Sequence, residues 1–148
     1  MAIETLRALF ARDLGRLRKE VESYQNESNL WRVEHNIPNS AGNLCLHLVG
    51  NLNTFIGKEI GKTNYVRDRP KEFSLKDTPR TELLSMIDDT IVVVNESLNK
   101  VDERALKEEY PIIVFEEKTS MEYMLIHLAT HLAYHLGQIN YHRRLIDK

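Results

Sequence analysis

Four of the six histidines in the sequence lie close together near its carboxyl end, in the stretch HLATHLAYHLGQINYH. His127, His131 and His135 follow one another at steps of four residues. Four residues of a helix rise by about 6 Å and turn about 40° past a full circle, so the three side chains share a face. Two imidazoles spaced in this way can bind one metal ion, as in helical zinc sites. The spacing predicts a metal site on this helix, and it leaves open whether His127 or His135 pairs with His131.

A third ligand has to come from another helix, and His47, in the apolar stretch LCLHLVGN, is the candidate. An imidazole without a partner out of water costs about 1–3 kcal/mol, and a metal ion would relieve that cost for several histidines at once. Asn43 and Asn51 stand four residues before and after His47. We expect them to orient its ring or to line a pocket beside it.

The alternative interpretation is that these histidines are polar core residues that hold no metal. A lone histidine in an apolar helix, or a single pair four residues apart, would be compatible with that interpretation. Consecutive steps of four residues, together with one histidine in a second apolar helix, favour the metal site.

The composition is typical of one ordinary globular domain, residues 1–148. Hydrophobic residues make up 42% and charged residues 28%, and the net charge is −2. We therefore expect no nucleic-acid or membrane partner, because there is no bulk positive charge and no apolar run of about 20 residues. The first residues lack the apolar core of a signal peptide, and the single cysteine, Cys45, fits a reducing compartment. These features predict a cytoplasmic protein with Cys45 as a packed core thiol.

Apolar periodicity predicts four helices and hence an all-α four-helix bundle. The predicted helices cover 3–24, 39–61, 78–100 and 119–146, the last opened by a capping box of Thr119 and Glu122. The β-branched run IVVV belongs to the third helix, because the helical period continues on both sides of it.

The two longer connections, 62–77 and 101–118, argue against the simplest tight bundle. Pro70 and the polar composition of 62–77 predict a surface loop. In the second connection, YPIIVF at 110–115 predicts a short extended piece, given its β-branched residues and its proline.

The residues around the histidines resemble the DinB-like superfamily. The ending HLATHLAYHLGQI is similar to the last helix of that family, in which a His-x-x-x-His pair is followed closely by Gly-Gln. The stretch WRVEHNIPNSAGNLCLHLVGNL resembles its second-helix region, where a tryptophan precedes an Asn-Ser start and one histidine faces the metal. The pattern NSAGNL…HLVGNL is most similar to a branch of uncharacterised bacterial members.

The resemblance implies a metal-binding DinB-like bundle, frequently a homodimer, with one zinc or nickel ion. By the position of the Gly-Gln pair it implies His47, His131 and His135 as ligands. It leaves His127 and Gln138 as residues that line the pocket or contact the ligands.

The same resemblance implies two functional classes. Relatives of the fold include enzymes that transfer small thiols such as bacillithiol or mycothiol, so the first hypothesis is a metal-dependent transferase or hydrolase acting on an unknown small molecule. The second is a non-catalytic, stress-associated metal-binding dimer that recognises a partner. No catalytic residue is assigned beyond the metal site, because Leu132 stands where zinc peptidases carry a glutamate. Tyr134 and Tyr141 are expected to be packing residues, and His142 to be solvated.

Overall fold

The computed structural model describes the whole chain, residues 1–148, and the chain is helical with no β-strand. This confirms the helical fold class. Five α-helices follow in order: α1 (Ala2–Ser23), α2 (Ala41–Leu52), α3 (Arg69–Ser74), α4 (Arg80–Leu98) and α5 (Met121–Ile146). A π-helical turn, Asn53–Lys58, prolongs α2 almost to its predicted end. None of the helices combines the length and the hydropathy that a membrane-spanning segment requires.

The long helices enclose one apolar core, in which α1 and α2 each pack against both α4 and α5. The predicted stripe of α1 is buried, and it consists of Ile3, Leu6, Phe10, Leu14, Leu17 and Val21. Helix α2 differs from α1, because every one of its residues is buried. Buried polar side chains almost always have a polar partner. The polar residues of α2 therefore have to find partners on neighbouring elements, and this requirement positions the candidate site.

The start of α5 is one residue later than predicted. Ser120, and not Thr119, accepts the hydrogen bond of the cap, from the backbone N–H of Tyr123 at 3.0 Å. The backbone of Thr119 is used elsewhere, because its carbonyl accepts from the N–H of Tyr110 at 2.8 Å. That contact belongs to an isolated bridge between Glu109 and Ser120. The predicted extended piece at 110–115 is therefore wrong, since only this bridge forms at its edge.

The segment 62–77 is not the plain surface loop that its composition predicts. It contains α3, which begins after Asp68, whose carboxylate accepts from the N–H of Lys71 at 3.3 Å. Pro70 lies in the first turn of this helix, where its missing N–H costs nothing. The proline that suggested a break in fact opens a helix. Glu72 of α3 is only 6% exposed.

Three smaller predictions have mixed outcomes. The run IVVV lies inside α4, as predicted, and Cys45 is fully buried. Burial raises the pKa of the Cys45 thiol to about 12, as expected of an inert core thiol. Tyr134 and Tyr141 are 64% and 65% exposed, so their assignment to packing is wrong.

His142 is buried rather than solvated, because the end of α5 packs against the chain that follows α1. The hydroxyl of Tyr24 donates to its Nδ1 at 2.7 Å, and its Nε2–H donates to the carbonyl of Arg32 at 2.8 Å. Both ring nitrogens thus have partners, and His142 takes part in holding α5 in place.

Gly42 and Gly15 should respond in opposite directions to alanine. A Cβ at Gly42 of α2 would lie 2.8 Å from three ring atoms of Trp31, which is itself buried. We expect Gly42→Ala to lower the free energy of unfolding by about 1–3 kcal/mol through overpacking. Gly15 of α1 has no heavy atom within 4 Å of such a Cβ. Gly15→Ala should therefore raise the free energy of unfolding by about 0.5–1 kcal/mol. Chemical denaturation measures both, and the same sign for the two variants would contradict this packing.

Candidate metal centre

Three imidazoles from two helices converge at one point. His47 comes from α2, and His131 and His135 come from successive turns of α5. The Nε2 atom of His131 lies 3.2 Å from Nε2 of His47 and 3.2 Å from Nε2 of His135. Nitrogens bound to one tetrahedral zinc ion at about 2.0–2.1 Å are about 3.3 Å from one another. The three histidines could therefore hold a metal ion.

The protons on the rings of His47 and His135 are placed by acceptors on the far side of each ring. Nδ1 of His47 lies 3.0 Å from Oε1 of Glu72, and Nδ1 of His135 lies 2.7 Å from Oε1 of Gln138. A carboxylate or amide oxygen only accepts, so each Nδ1 carries the proton. Nε2 of each ring is then a lone pair, and both lone pairs face His131.

Protons alone cannot satisfy this arrangement. His131 can offer one Nε2–H to its neighbours, which leaves the other lone pair without a donor. Its buried Nδ1 has no hydrogen-bond partner in either tautomer. If the proton of His131 is on Nδ1 instead, three lone pairs point at one another. A divalent cation among the three Nε2 atoms would pair with all of them, so the residues present fit a metal ion.

Burial keeps His131 and His47 in the neutral form that binds metals. Burial and, to a smaller extent, the neighbouring His135 and His47 lower the pKa of His131 to about 4. Burial also lowers the pKa of His47, and it outweighs the hydrogen bond and the charge of Glu72, which act in the other direction. The lone pairs of these two residues are therefore available at neutral pH without prior loss of a proton.

His127 lies beside the three histidines but outside the group of converging nitrogens. Its ring is stacked on that of His131 with centroids 6.3 Å apart, and the edge-on ring of Phe115 lies at 4.9 Å. Of the two pairs that the spacing allowed, the pair that meets His47 is therefore His131 with His135. Gln138 contacts a predicted ligand directly, through the hydrogen bond to His135.

The two asparagines that flank His47 have different surroundings. Asn43 makes no hydrogen bond to the ring, and its Nδ2 instead donates to the carbonyls of Glu72 at 2.9 Å and Leu75 at 2.8 Å. It holds the backbone of α3. Asn51 is buried, and its Oδ1 has no hydrogen-bond partner.

Sequence reasoning missed Glu72 and Arg67. Both lie in the segment that was predicted as a loop, and together with His47 they form one buried polar group. Two signals in the sequence point toward them. Asp68 followed by Pro70 is typical of a helix start. Gly50 interrupts an apolar helix, which often marks a close approach, and a Cβ there would lie 1.9 Å from Oε2 of Glu72.

Fold and site together define an all-helical protein with a three-histidine group that could bind a metal ion. Residues 3–148 match the family described as "Protein of unknown function (DUF1572)", and the chain belongs to that family. No curated protein and no solved structure matches the sequence.

Proposed function

We propose that this protein binds one divalent transition metal ion, zinc or nickel, through the Nε2 atoms of His47, His131 and His135. The proposal depends on one observation above all. His47 and His135 carry their protons on Nδ1, so each ring presents the lone pair of its Nε2 to Nε2 of His131 at a distance of 3.2 Å. Neutral imidazole is a preferred ligand of both metals. The choice between them depends on supply as well as on affinity.

We also propose that the chain is a DinB-like four-helix bundle formed by α1, α2, α4 and α5. The packing of α1 and α2 on both α4 and α5 supports this arrangement. So do the two sequence stretches that resemble the superfamily, which carry the three histidines on its second and last helices. In this description α3 is an addition in the connection between two bundle helices.

The functional class that fits this site best is a metal-dependent enzyme, a transferase of thiols or a hydrolase, acting on a small molecule. Closed structural zinc sites use four protein ligands, whereas the group here has three. A divalent metal on three neutral imidazoles keeps its charge and an open position, and it lowers the pKa of a thiol or water there.

The chain's own residues supply binding and orientation around that position. Glu72 and Gln138 fix the rings of His47 and His135, and the carboxylate of Glu72 is bound to Arg67 and so is not free to act as a base. Two polar side chains lie beside the ligands and could contact a substrate. One is Tyr134, whose ring centroid lies 5.3 Å from that of His135, and the other is the half-buried His127.

A second candidate is a metal-binding homodimer without catalysis, favoured by the exposed face of α5. Between Glu122 and Arg143 this helix has no charged residue. Tyr123, Tyr134 and Tyr141 are 58%, 64% and 65% exposed on it. Aromatic residues are enriched in interfaces, and in a two-fold dimer the same face meets itself, so an uncharged face avoids repulsion between like charges.

The metal assignment is tested by elemental analysis of protein purified without a nickel column. We expect about one zinc or nickel per chain in the wild type and almost none in His131→Ala, which lacks the central nitrogen. His127→Ala is the matched control on the same helix and should retain the metal. Absence of metal from the wild type, also after reconstitution, would refute the site. Loss of metal in His127→Ala with retention in His135→Ala would reverse the choice of pair.

The dimer is tested by sedimentation equilibrium. We expect the wild type to show twice the chain mass of 17.3 kDa and Tyr141→Glu to shift toward the monomer, because the substitution would bury a charge in an otherwise uncharged interface. The weakening should be roughly 10-fold or more in the dissociation constant. Val92→Glu, at a position 53% exposed on α4, is the control. A monomeric wild type, or equal effects of both variants, would exclude this face as the interface.

A further inference from the structure

The segment 67–76, which contains α3 and is called the α3 segment below, lies on one face of α2. Asn43, His47 and Gly50 are spaced by four and three residues, so they lie on that face. Asn43 holds the backbone of the segment, and His47 binds the carboxylate of Glu72. Gly50 leaves the space that the second oxygen of this carboxylate occupies. The segment thus covers the back of the metal centre, on the Nδ1 side of His47.

The carboxylate of Glu72 is bound on both oxygens by a single guanidinium. Arg67 donates from Nε to Oε2 at 2.8 Å and from Nη2 to Oε1 at 3.0 Å, and Oε1 also accepts from His47. The side chains of Glu72 and Arg67 are only 6% and 16% exposed. A buried carboxylate is costly unless it is paired, and the paired guanidinium supplies that compensation. The pair as a whole adds no net charge to the site.

The two members of this ion pair act on His47 with opposite signs. Glu72 accepts a hydrogen bond from Nδ1–H of His47. This hydrogen bond raises the electron density on Nε2 and makes Nε2 a stronger ligand for a cation. Arg67 has its Nη2 only 3.5 Å from Nδ1 of His47. Its positive charge therefore opposes a dication on the other side of the same ring, and it weakens the pull of Glu72.

From this geometry we propose that Glu72 and Arg67 are positioning residues that set the metal affinity of the three-histidine site in opposite directions. Glu72 raises the affinity by fixing and polarising His47. Arg67 lowers it, and in exchange it holds the carboxylate of Glu72 in place against His47. The inference rests on the proposed metal binding, and it adds a means by which the α3 segment regulates that site.

A purely structural role of the ion pair makes a different prediction. If the pair only fastened the α3 segment to α2, removal of either partner would loosen the segment by the same amount. Metal affinity would then fall in both variants or remain unchanged in both. Opposite changes in affinity are specific to the electrostatic role.

The test is the dissociation constant for zinc, measured by competition with a chelating dye on the full chain. Glu72→Gln keeps an oxygen acceptor for His47 but loses the charge and replaces the second oxygen with an amide nitrogen, and we expect roughly 10–100-fold weaker binding. Arg67→Met retains the aliphatic bulk and loses the opposing charge, and we expect binding about 3–10-fold tighter. Arg69→Gln removes a cation that lies over the ring of Phe73 and is the matched control. Its affinity should remain within about 2-fold of the wild type.

Melting temperatures measured with and without zinc separate a loss of stability from a change in zinc affinity in variants that are less stable than the wild type. For Arg67→Met we expect a lower melting temperature than the wild type without zinc and a larger upward shift on zinc addition, because the metal compensates the buried carboxylate of Glu72, which has lost its ion-pair partner. Weaker zinc binding in both Glu72→Gln and Arg67→Met, or no change in either, would overturn this inference while metal binding itself stands. A wild type that binds no zinc would overturn the proposed function and this inference together.

Discussion

The structure is organised around three imidazole nitrogens that converge on one point. Nε2 of His131 lies 3.2 Å from Nε2 of His47 and of His135, and one proton on it can satisfy only one of these two lone pairs, whereas a cation would pair with all three nitrogens. The chain maintains this arrangement where α2 meets α5. Both helices also contribute apolar side chains to the core. The packing of the core therefore fixes the backbone that holds His47, His131 and His135.

The complete burial of α2 explains much of what surrounds this point. A helix with no solvent-facing side needs protein partners for its polar side chains, although Oδ1 of Asn51 has none. Asn43 and His47 find theirs on the α3 segment, which would otherwise be a surface connection. The polar residues of α2 therefore serve two purposes, because His47 belongs to the three-histidine group and Asn43 fastens the segment that carries Glu72.

Sequence reasoning reached the features that depend on local geometry. Helix periodicity gave the long helices, and the step of four residues brought His131 and His135 to one face of α5, with His47 as the partner from α2. It did not reach the features that depend on how distant segments fold together. Glu72 meets His47 only because a short helix forms around Pro70 and returns to α2.

The wrong predictions for His142, Tyr134 and Tyr141 also concern contacts that local sequence does not determine. His142 is buried because α5 ends against the segment after α1, and nothing in its own neighbourhood in sequence indicates that contact. Tyr134 and Tyr141 lie on an exposed side of α5, although the helix is uncharged around them. An uncharged helix face predicts burial, and here that burial would need a second molecule.

X-ray absorption spectroscopy of zinc-loaded protein reports the atoms bound to the metal and therefore tests the three-histidine site without any assay of activity. We expect three imidazole nitrogens at about 2.0–2.1 Å, with any further ligand a light atom from solvent and no sulfur. No sulfur is expected because Cys45, the one cysteine, is not part of the group of converging ligand atoms. A shell with a zinc–sulfur distance of about 2.3 Å, or with fewer than three imidazoles, would contradict the three-histidine site.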